Sequence, residues 1–276
     1  MPVVTLREIL KNAGRGKYAV GMFDVHHSDM AEAVLEAAGQ LTAVGSMLVR
    51  AAERAGVPVA VHLDHAVSVE TAVRAMELGF SSVMYDGSTL SLEENLENTA
   101  KTVRLAGAFG ASVEAELGHV GGEEGNSDGS GGSVYTKPED AAYFAEMTGA
   151  DALAVSIGTV HGRYREKPNL NIPLLEEIHR RVSIPLVLHG GSGLSDQDFK
   201  DCIAGGISKI NIYTEIAEAA RMVLIEDAGS LGYFDLMQKS KRAIRAVAAE
   251  KIKLFGSQGK APALSEPGTP PQETGE

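Results

Sequence analysis

The chain has 276 residues, 44% hydrophobic and 22% charged, enough for one large α/β domain or two small ones with a real core. A formal net charge of −12 excludes a broad basic surface and hence non-specific nucleic-acid binding, though not a locally positive pocket for a phosphorylated small molecule. The single cysteine, Cys202, excludes an intramolecular disulfide and fits a cytoplasmic protein, and the stretch MPVVTLREILKNAGRG has no apolar run that predicts a signal peptide or a membrane span.

In chain order, Leu6, Ile9 and Leu10 share a face and predict a short helix over 5–13. YAVGMFDV (18–25) reads as a strand. A helix follows from about Ser28, with Met30, Ala33, Val34 and Ala37 as its apolar stripe. The helical pattern then resumes over 41–50 with no strand between. From there the alternation is regular. Strands are expected over 57–65, 82–86, 111–117, 152–157, 184–188 and 207–212. Helices are expected over 69–78, 92–109, from about 136, over 173–181, 195–204 and 216–226, with one more helix or two over 233–253. The tract 256–276 is rich in Pro, Gly, Ser and Thr and reads as a mobile tail beyond a domain of residues 1–255.

Short apolar strands alternating with amphipathic helices imply βαβ units and a parallel sheet. Seven such strands are visible, and eight close a barrel. The expected fold is therefore α/β, a (β/α)8 TIM barrel whose second strand is either missing from the sequence or hidden within 41–46. A doubly wound open sheet is the alternative, but no Gly-rich fingerprint follows the first strand.

In a barrel every strand end faces one mouth, and polar residues collect at these ends. The strand VPVAVHLDH delivers Asp64 and His65, and the next ends in Asp86. Glu114 and Glu116 share a side by strand periodicity. His161 and His189 follow later strands. Three neutral imidazoles around an open position suit a catalytic zinc ion, so His65, His161 and His189 are the candidate ligands. His26 and His27 also lie near a strand end, whereas His62, His119 and His179 are read as structural or solvated. Gly190-Gly191-Ser192-Gly193 and Asn211-Ile212-Tyr213-Thr214 follow the last two strands, where barrels often bind phosphate. Glycines there let backbone N–H groups approach an anion, and Ser192 and Thr214 add hydroxyls. The polar segment 118–133 is long for a βα connection and suits a lid carrying Glu123 and Glu124.

Taken together, HLDH (62–65), DGS (86–88), EAELGHVGG (114–122), SIGTVHG (156–162), LHGGSG (188–193) and KINIYTE (209–215) resemble the zinc-dependent class II ketose-bisphosphate aldolases. The likeness runs from about Val4 to Lys260. It implies a barrel that reversibly cleaves a phosphorylated ketose, such as fructose or tagatose 1,6-bisphosphate, to dihydroxyacetone phosphate and an aldehyde such as glyceraldehyde 3-phosphate. His65, His161 and His189 match the family's zinc ligands, and Asp86 and Glu116 match carboxylates at an alternative metal position. Asp64 matches the group that exchanges a proton with the C4 oxygen, and Glu124 lies near the lid glutamate that handles the C3 proton. Gly162, Gly190, Gly191, Ser192, Asn211, Ile212, Tyr213 and Thr214 fall among the phosphate and dihydroxyacetone-phosphate contacts. The resemblance implies Zn2+ as cofactor, allows a monovalent cation beside it, and implies a homo-oligomer, dimer or tetramer, with no membrane or nucleic-acid partner.

Two departures accompany it. The family has a strand and loop where Gln40 here runs into Leu41, and it usually has asparagine where Asp24 stands. A carboxylate near a substrate phosphate is unfavourable. A non-catalytic sugar-phosphate- or metal-binding subunit, and a lyase for another ketose 1-phosphate or sugar acid, stay open as alternatives.

Overall fold

The computed structural model describes residues 3–23, 40–122, 134–162, 164 and 168–261. In chain order the elements are α1 (Leu6–Gly16), β1 (Val20–Phe23), α2 (Gln40–Glu53), β2 (His62–Ala66), α3 (Val69–Glu77) and β3 (Ser82–Tyr85). Next come α4 (Leu92–Phe109), β4 (Ser112–Leu117), β5 (Gly121–Gly122), α5 (Pro138–Thr148), β6 (Ala152–Val155) and β7 (Val160–His161). The last are α6 (Ile172–Arg181), β8 (Leu186–Leu188), α7 (Asp196–Ala204), β9 (Ile207–Ile212), α8 (Thr214–Asp227) and α9 (Tyr233–Leu254). Capping residues fix several helix starts. The side chain of Thr5 caps α1 with Glu8 returning the bond, and Ser91 with Glu94 and Ser195 with Asp198 repeat the device at α4 and α7.

Seven strands form one all-parallel sheet in the order β1-β9-β8-β6-β4-β3-β2. In that order β9 and β2 stand five places apart, which in a flat sheet separates them by roughly 24 Å. Yet Asn211 of β9 bonds Asp64 of β2 at 3.0 Å, so the sheet curls round on itself as a TIM-barrel-like fold. β1 and β2 are its two ends. Among the described residues no strand fills the place between them. The segment 41–46 lies inside α2, so it hides no strand. Beside that place Val4 N–H donates to the Val59 carbonyl at 3.0 Å, and Ala19 N–H donates to the Phe255 carbonyl at 3.1 Å.

Strand periodicity sorts the side chains. Leu153, Val155, Leu186, Leu188, Ile210 and Ile212 face outward into the main core, with Phe144, Leu175, Ile178 and Phe199 from the helices. Inward-facing Ala152, Ala154 and Val187 are small, and Leu6, Leu10 and Ala13 of α1 pack on them as a plug at the start of the strands. Further along the same inner face the apolar layer ends. Glu114, Glu116, Lys209 and Asn211 follow, each at most 5% exposed. The interior is thus apolar at one end and polar at the other, which places the chemistry at the strands' C-terminal ends.

Several boundaries differ from the sequence pattern. The β2 strand begins at His62 rather than Val57, which is half exposed and precedes the pairing with β3. Gly121–Gly122, expected as loop, pair in parallel with Val160–His161. The 233–253 stretch is one helix. Asp24, His26, His27, the helix expected from Ser28, and the tract 262–276 lie outside the described residues. No helix among the described residues is long and apolar enough to cross a membrane.

Candidate active site

Simple alternation points Asp64 and His65 to opposite faces of β2. The backbone prevents this. His65 has φ of +45°, a left-handed conformation rare for a residue with a Cβ, and the β2–β3 register shifts between Leu63 and Ala66. The bulge turns both side chains into the mouth, where Asp64 Oδ2 lies 3.8 Å from His65 Nε2. Strain of this kind is held in place by the surrounding packing and collects at functional sites.

His65, His161 and His189 converge, their ligand atoms all within 4.8 Å of one another. Ring centroids are 5.2 Å apart for His65–His161, 4.7 Å for His65–His189 and 5.7 Å for His161–His189. Two of the rings have an assigned role for each nitrogen. His65 Nδ1 bonds Asp86 Oδ2 at 2.8 Å, and His189 Nε2 bonds Glu114 Oε1 at 2.9 Å. Their remaining nitrogens, His65 Nε2 and His189 Nδ1, face each other at 3.0 Å. Two nitrogens bound to one tetrahedral Zn2+ at about 2.0–2.1 Å stand roughly 3.3 Å apart, so the donor set fits such an ion closely. Each outer bond is to a carboxylate, the arrangement that orients metal-binding imidazoles.

Asp86 follows β3 and accepts a second bond from the Ser88 N–H at 3.0 Å. It joins His65 and Glu116 in another group able to hold a cation. Burial raises the Asp86 carboxyl, but the bond to His65 and that residue's charge outweigh it and hold Asp86 far below the usual range. Burial together with Asp86 pushes Glu116 up to about 8, so it is neutral at pH 7. For His65 burial lowers the pKa. Asp64, the bond to Asp86 and the nearby Glu116 more than reverse this and raise it to about 10. In the metal-free protein His65 is therefore an imidazolium that donates to Asp86 and to His189 Nδ1, and its proton sits where an ion would.

This has a pH consequence. Folding raises the pKa of Glu116 from 4.5 to about 8 and of His65 from 6.5 to about 10. Both bind more protons folded than unfolded across those ranges, so their contribution to stability is lost as pH rises through them. Asp64 and Asp86, held low, have the opposite sign, but only as pH falls below about 3.8. The thermal midpoint of the metal-free chain should fall between pH about 4.5 and about 10, while the increment from saturating zinc grows over the same range. Melting curves with and without zinc check this, and a zinc increment independent of pH contradicts it.

Beneath the imidazoles lies a network that sequence reading left largely unassigned. Lys209 Nζ donates to Glu114 Oε2 at 2.9 Å and to Asn211 Oδ1 at 2.8 Å, and stands 3.2 Å from Glu114 Oε1. Burial raises the Glu114 carboxyl, but Lys209 and then His189 bring it down to about 2. Asn211 Nδ2 donates to Asp64 Oδ2 at 3.0 Å. His62, read as structural or solvated, belongs here too. Its side chain is 5% exposed, Nδ1 bonds Ser82 Oγ at 2.7 Å, and Nε2 lies 3.7 Å from Asp64 Oδ1. The period-two spacing of His62 with Asp64 and of Lys209 with Asn211 was the available signal.

Residues 38–260 match the family described as Fructose-bisphosphate aldolase class-II. The chain is 37% identical over 286 aligned positions to the probable fructose-bisphosphate aldolase of Bacillus subtilis (strain 168), covering 95% of this chain and 100% of that one. This chain belongs to the class II fructose-bisphosphate aldolase family. The members of that family are carbon–carbon lyases that depend on a metal. The YdjI protein of Escherichia coli (strain K12) is 41% identical over 262 positions, with 88% of this chain and 94% of that one covered. The crystal structure of the YdjI aldolase from Escherichia coli K12 matches with a TM-score of 0.81 at 36% identity, covering 94% of this chain and 100% of that one. The structure of a putative fructose-1,6-biphosphate aldolase from Coccidioides immitis gives 0.82 at 31%, covering 92% and 97%. The 286 positions aligned with the Bacillus aldolase exceed the 276 residues here, so that relative carries residues without a counterpart in this chain. That no strand lies between β1 and β2 among the described residues agrees with this.

In this family member the turn after β8 is built by close approach. Gly190 has φ of +65°, and a Cβ there would lie 2.4 Å from the Val160 carbonyl oxygen. Tyr164 ties the same two loops: its hydroxyl donates to the Gly190 carbonyl at 2.8 Å and accepts from the Val160 N–H at 3.2 Å. Ser192 Oγ accepts from the Glu215 N–H at 3.3 Å, a bond that leaves the hydroxyl hydrogen free to donate. The Gly193 N–H is engaged by Glu215 Oε1 at 2.9 Å. Thr214 opens α8, with Tyr213 before it. The Ile212 side chain is fully buried in the outer core, so only its backbone can meet a ligand, and Asn211 turns inward to Asp64. Gly162 follows His161 with φ of +80°. Glu123 and Glu124 lie outside the described residues.

Proposed function

We propose that this family member is a zinc-dependent aldolase that cleaves fructose or tagatose 1,6-bisphosphate between C3 and C4 to dihydroxyacetone phosphate and glyceraldehyde 3-phosphate. One observation carries the reading. Beside two imidazole nitrogens spaced for one ion, the buried Asp64 Oδ1 has no hydrogen-bond partner among the described residues. A buried acceptor without a donor is costly, and a substrate hydroxyl would satisfy it.

His65, His161 and His189 would hold the metal, with Asp86 and Glu116 beside them. When bound, Zn2+ supplies Lewis-acid stabilisation of the negative charge that develops on the substrate. Asp64 does the proton work. Burial opposes its ionisation, but His65 above all, then His62, His189 and Lys209, hold its pKa well below the ordinary value, so it enters the reaction as a carboxylate. It accepts the C4 hydroxyl proton as the C3–C4 bond breaks, and returns it in condensation. Gly190, Gly191, Ser192 and Thr214 receive a phosphate at the turn after β8 and the N-terminus of α8, where N–H groups concentrate. Glu124 handles the C3 proton in this reading.

That no strand lies between β1 and β2 among the described residues favours a second reading, a subunit that binds sugar phosphate without cleaving it. One assay separates the two. The full chain is incubated with fructose and tagatose bisphosphates and ketose monophosphates, and dihydroxyacetone phosphate is detected by a coupled enzyme. The expected result is cleavage lost with a chelator and restored by zinc. Folded, zinc-loaded protein that cleaves none of the panel would eliminate the aldolase reading and leave the binding subunit.

A further inference from the structure

Lys209 is 1% exposed, and its ammonium is surrounded by acceptors: both Glu114 carboxylate oxygens and Asn211 Oδ1. An ammonium donates three hydrogens and accepts none, so this geometry uses the group fully and leaves no nitrogen lone pair for a Schiff base. The question is what a buried cation does inside a barrel mouth. Buried ion pairs are weak stabilisers relative to apolar packing, so stability alone is a poor explanation.

Its two partners lead in different directions. Glu114 accepts from His189 Nε2 at 2.9 Å. A carboxylate only accepts, so Nε2 must carry the hydrogen, and Nδ1 is then the ring nitrogen free to bind an ion. The 3.3 Å approach of Asn211 Nδ2 to the same Nε2 is therefore a contact between two donors. Asn211 has its own ambiguity, since an amide can face either way. The ammonium removes it: Oδ1 must face Lys209, so Nδ2 faces Asp64 Oδ2 at 3.0 Å.

We propose that Lys209 is a positioning residue that, through Glu114 and Asn211, sets which nitrogen of His189 faces the metal and which way Asp64 is held. The proposal rests on the aldolase reading given above. One cation fixes a metal ligand on β8 and the proton-exchanging carboxylate on β2, elements at opposite sides of the curled sheet.

The test uses the full chain and three forms: wild type, Lys209→Met, and the double variant Lys209→Met with Glu114→Gln. The first substitution leaves Glu114 as an unpaired buried charge. The second removes that charge but keeps an acceptor for His189. The readouts are zinc affinity by chelator competition, the visible spectrum of the cobalt-substituted protein, and kcat and KM. Lys209→Met should weaken zinc binding by about 10–100-fold and shift the cobalt spectrum. The double variant should recover zinc affinity to within about tenfold of wild type, with kcat still about 10–100-fold down and KM little changed, because Asn211 is no longer oriented toward Asp64. A folded Lys209→Met with wild-type zinc affinity, cobalt spectrum and kcat overturns the proposal. If Lys209→Met does not fold, the double variant decides, and wild-type kcat in it overturns the proposal. Wild-type protein that binds no zinc and cleaves nothing defeats the aldolase reading itself, a failure seen in wild type and therefore distinct from a failure confined to the variants.

Discussion

Asp64→Asn should bind zinc as wild type does and lose aldol cleavage by about 10²–10⁴-fold in kcat, the range for removing a general acid–base group. The substitution keeps the side chain's shape and removes its ability to take a proton. Its neighbourhood tolerates the loss of charge. Asp64 Oδ2 receives the Asn211 amide, and an Asn oxygen can accept the same bond. The nearest imidazole nitrogens, His62 Nε2 at 3.7 Å from Oδ1 and His65 Nε2 at 3.8 Å from Oδ2, are too far for a hydrogen bond that would be lost. The metal site should therefore survive. Steady-state kinetics beside a zinc titration separates the two functions. Activity within tenfold of wild type would assign the proton transfer to another group.

His189→Ala should act in the opposite order, removing the ion first and the reaction with it. His189 supplies the nitrogen that stands 3.0 Å from His65 Nε2, and it links the site to Glu114. Groups that merely orient a ligand are worth about 10–100-fold in metal affinity, so loss of the ligand itself should exceed about 100-fold. Burial of the ring lowers its pKa, which keeps it neutral and ready to coordinate near neutral pH. His119→Ala is the matched control. That imidazole contacts Ser88 Oγ at 3.2 Å, and it belongs to none of the clustered donor groups among the described residues. It should retain zinc. Equal zinc content in the two variants, measured after dialysis, would remove His189 from the ligand set.

Most of the barrel could be read from the sequence because its strands are buried on both faces. Runs such as ALAV and ISKINI stand out between amphipathic helices, and the helix over 92–109 and the strand over 207–212 fall where the pattern puts them. The three imidazoles could be read because each lies at or just past the C-terminal end of a strand. The orientation of Asp64 and His65 could not, since it depends on a left-handed residue and a shifted register, and neither leaves a mark in side-chain alternation. The β5–β7 pair was missed for a related reason. Two glycines have no strand preference, and Gly121–Gly122 become a strand only because Val160–His161 lies alongside. The His62 side chain is buried and bonded to Ser82, as that of a structural histidine would be. Its meaning comes from Asp64 two residues on and from Glu114 on another strand, 3.8 Å from its Nε2.

The side-chain contacts at the mouth add to what holds the ring together. In a closed barrel every strand is joined to two neighbours by backbone hydrogen bonds, which no solute or proton readily alters. Here side chains also cross the mouth, from Asp64 of β2 to Asn211 of β9 and from His65 of β2 to His189 after β8, both at 3.0 Å. The separation of β2 from β8 and β9 at the mouth therefore depends also on ionisable groups and on whatever bridges them. An ion between His65 and His189 would act as a clasp as well as a reagent, joining β2 to the end of β8 across the mouth. The width of the mouth, unlike the backbone pairing of the strands, becomes a property that solution chemistry can set.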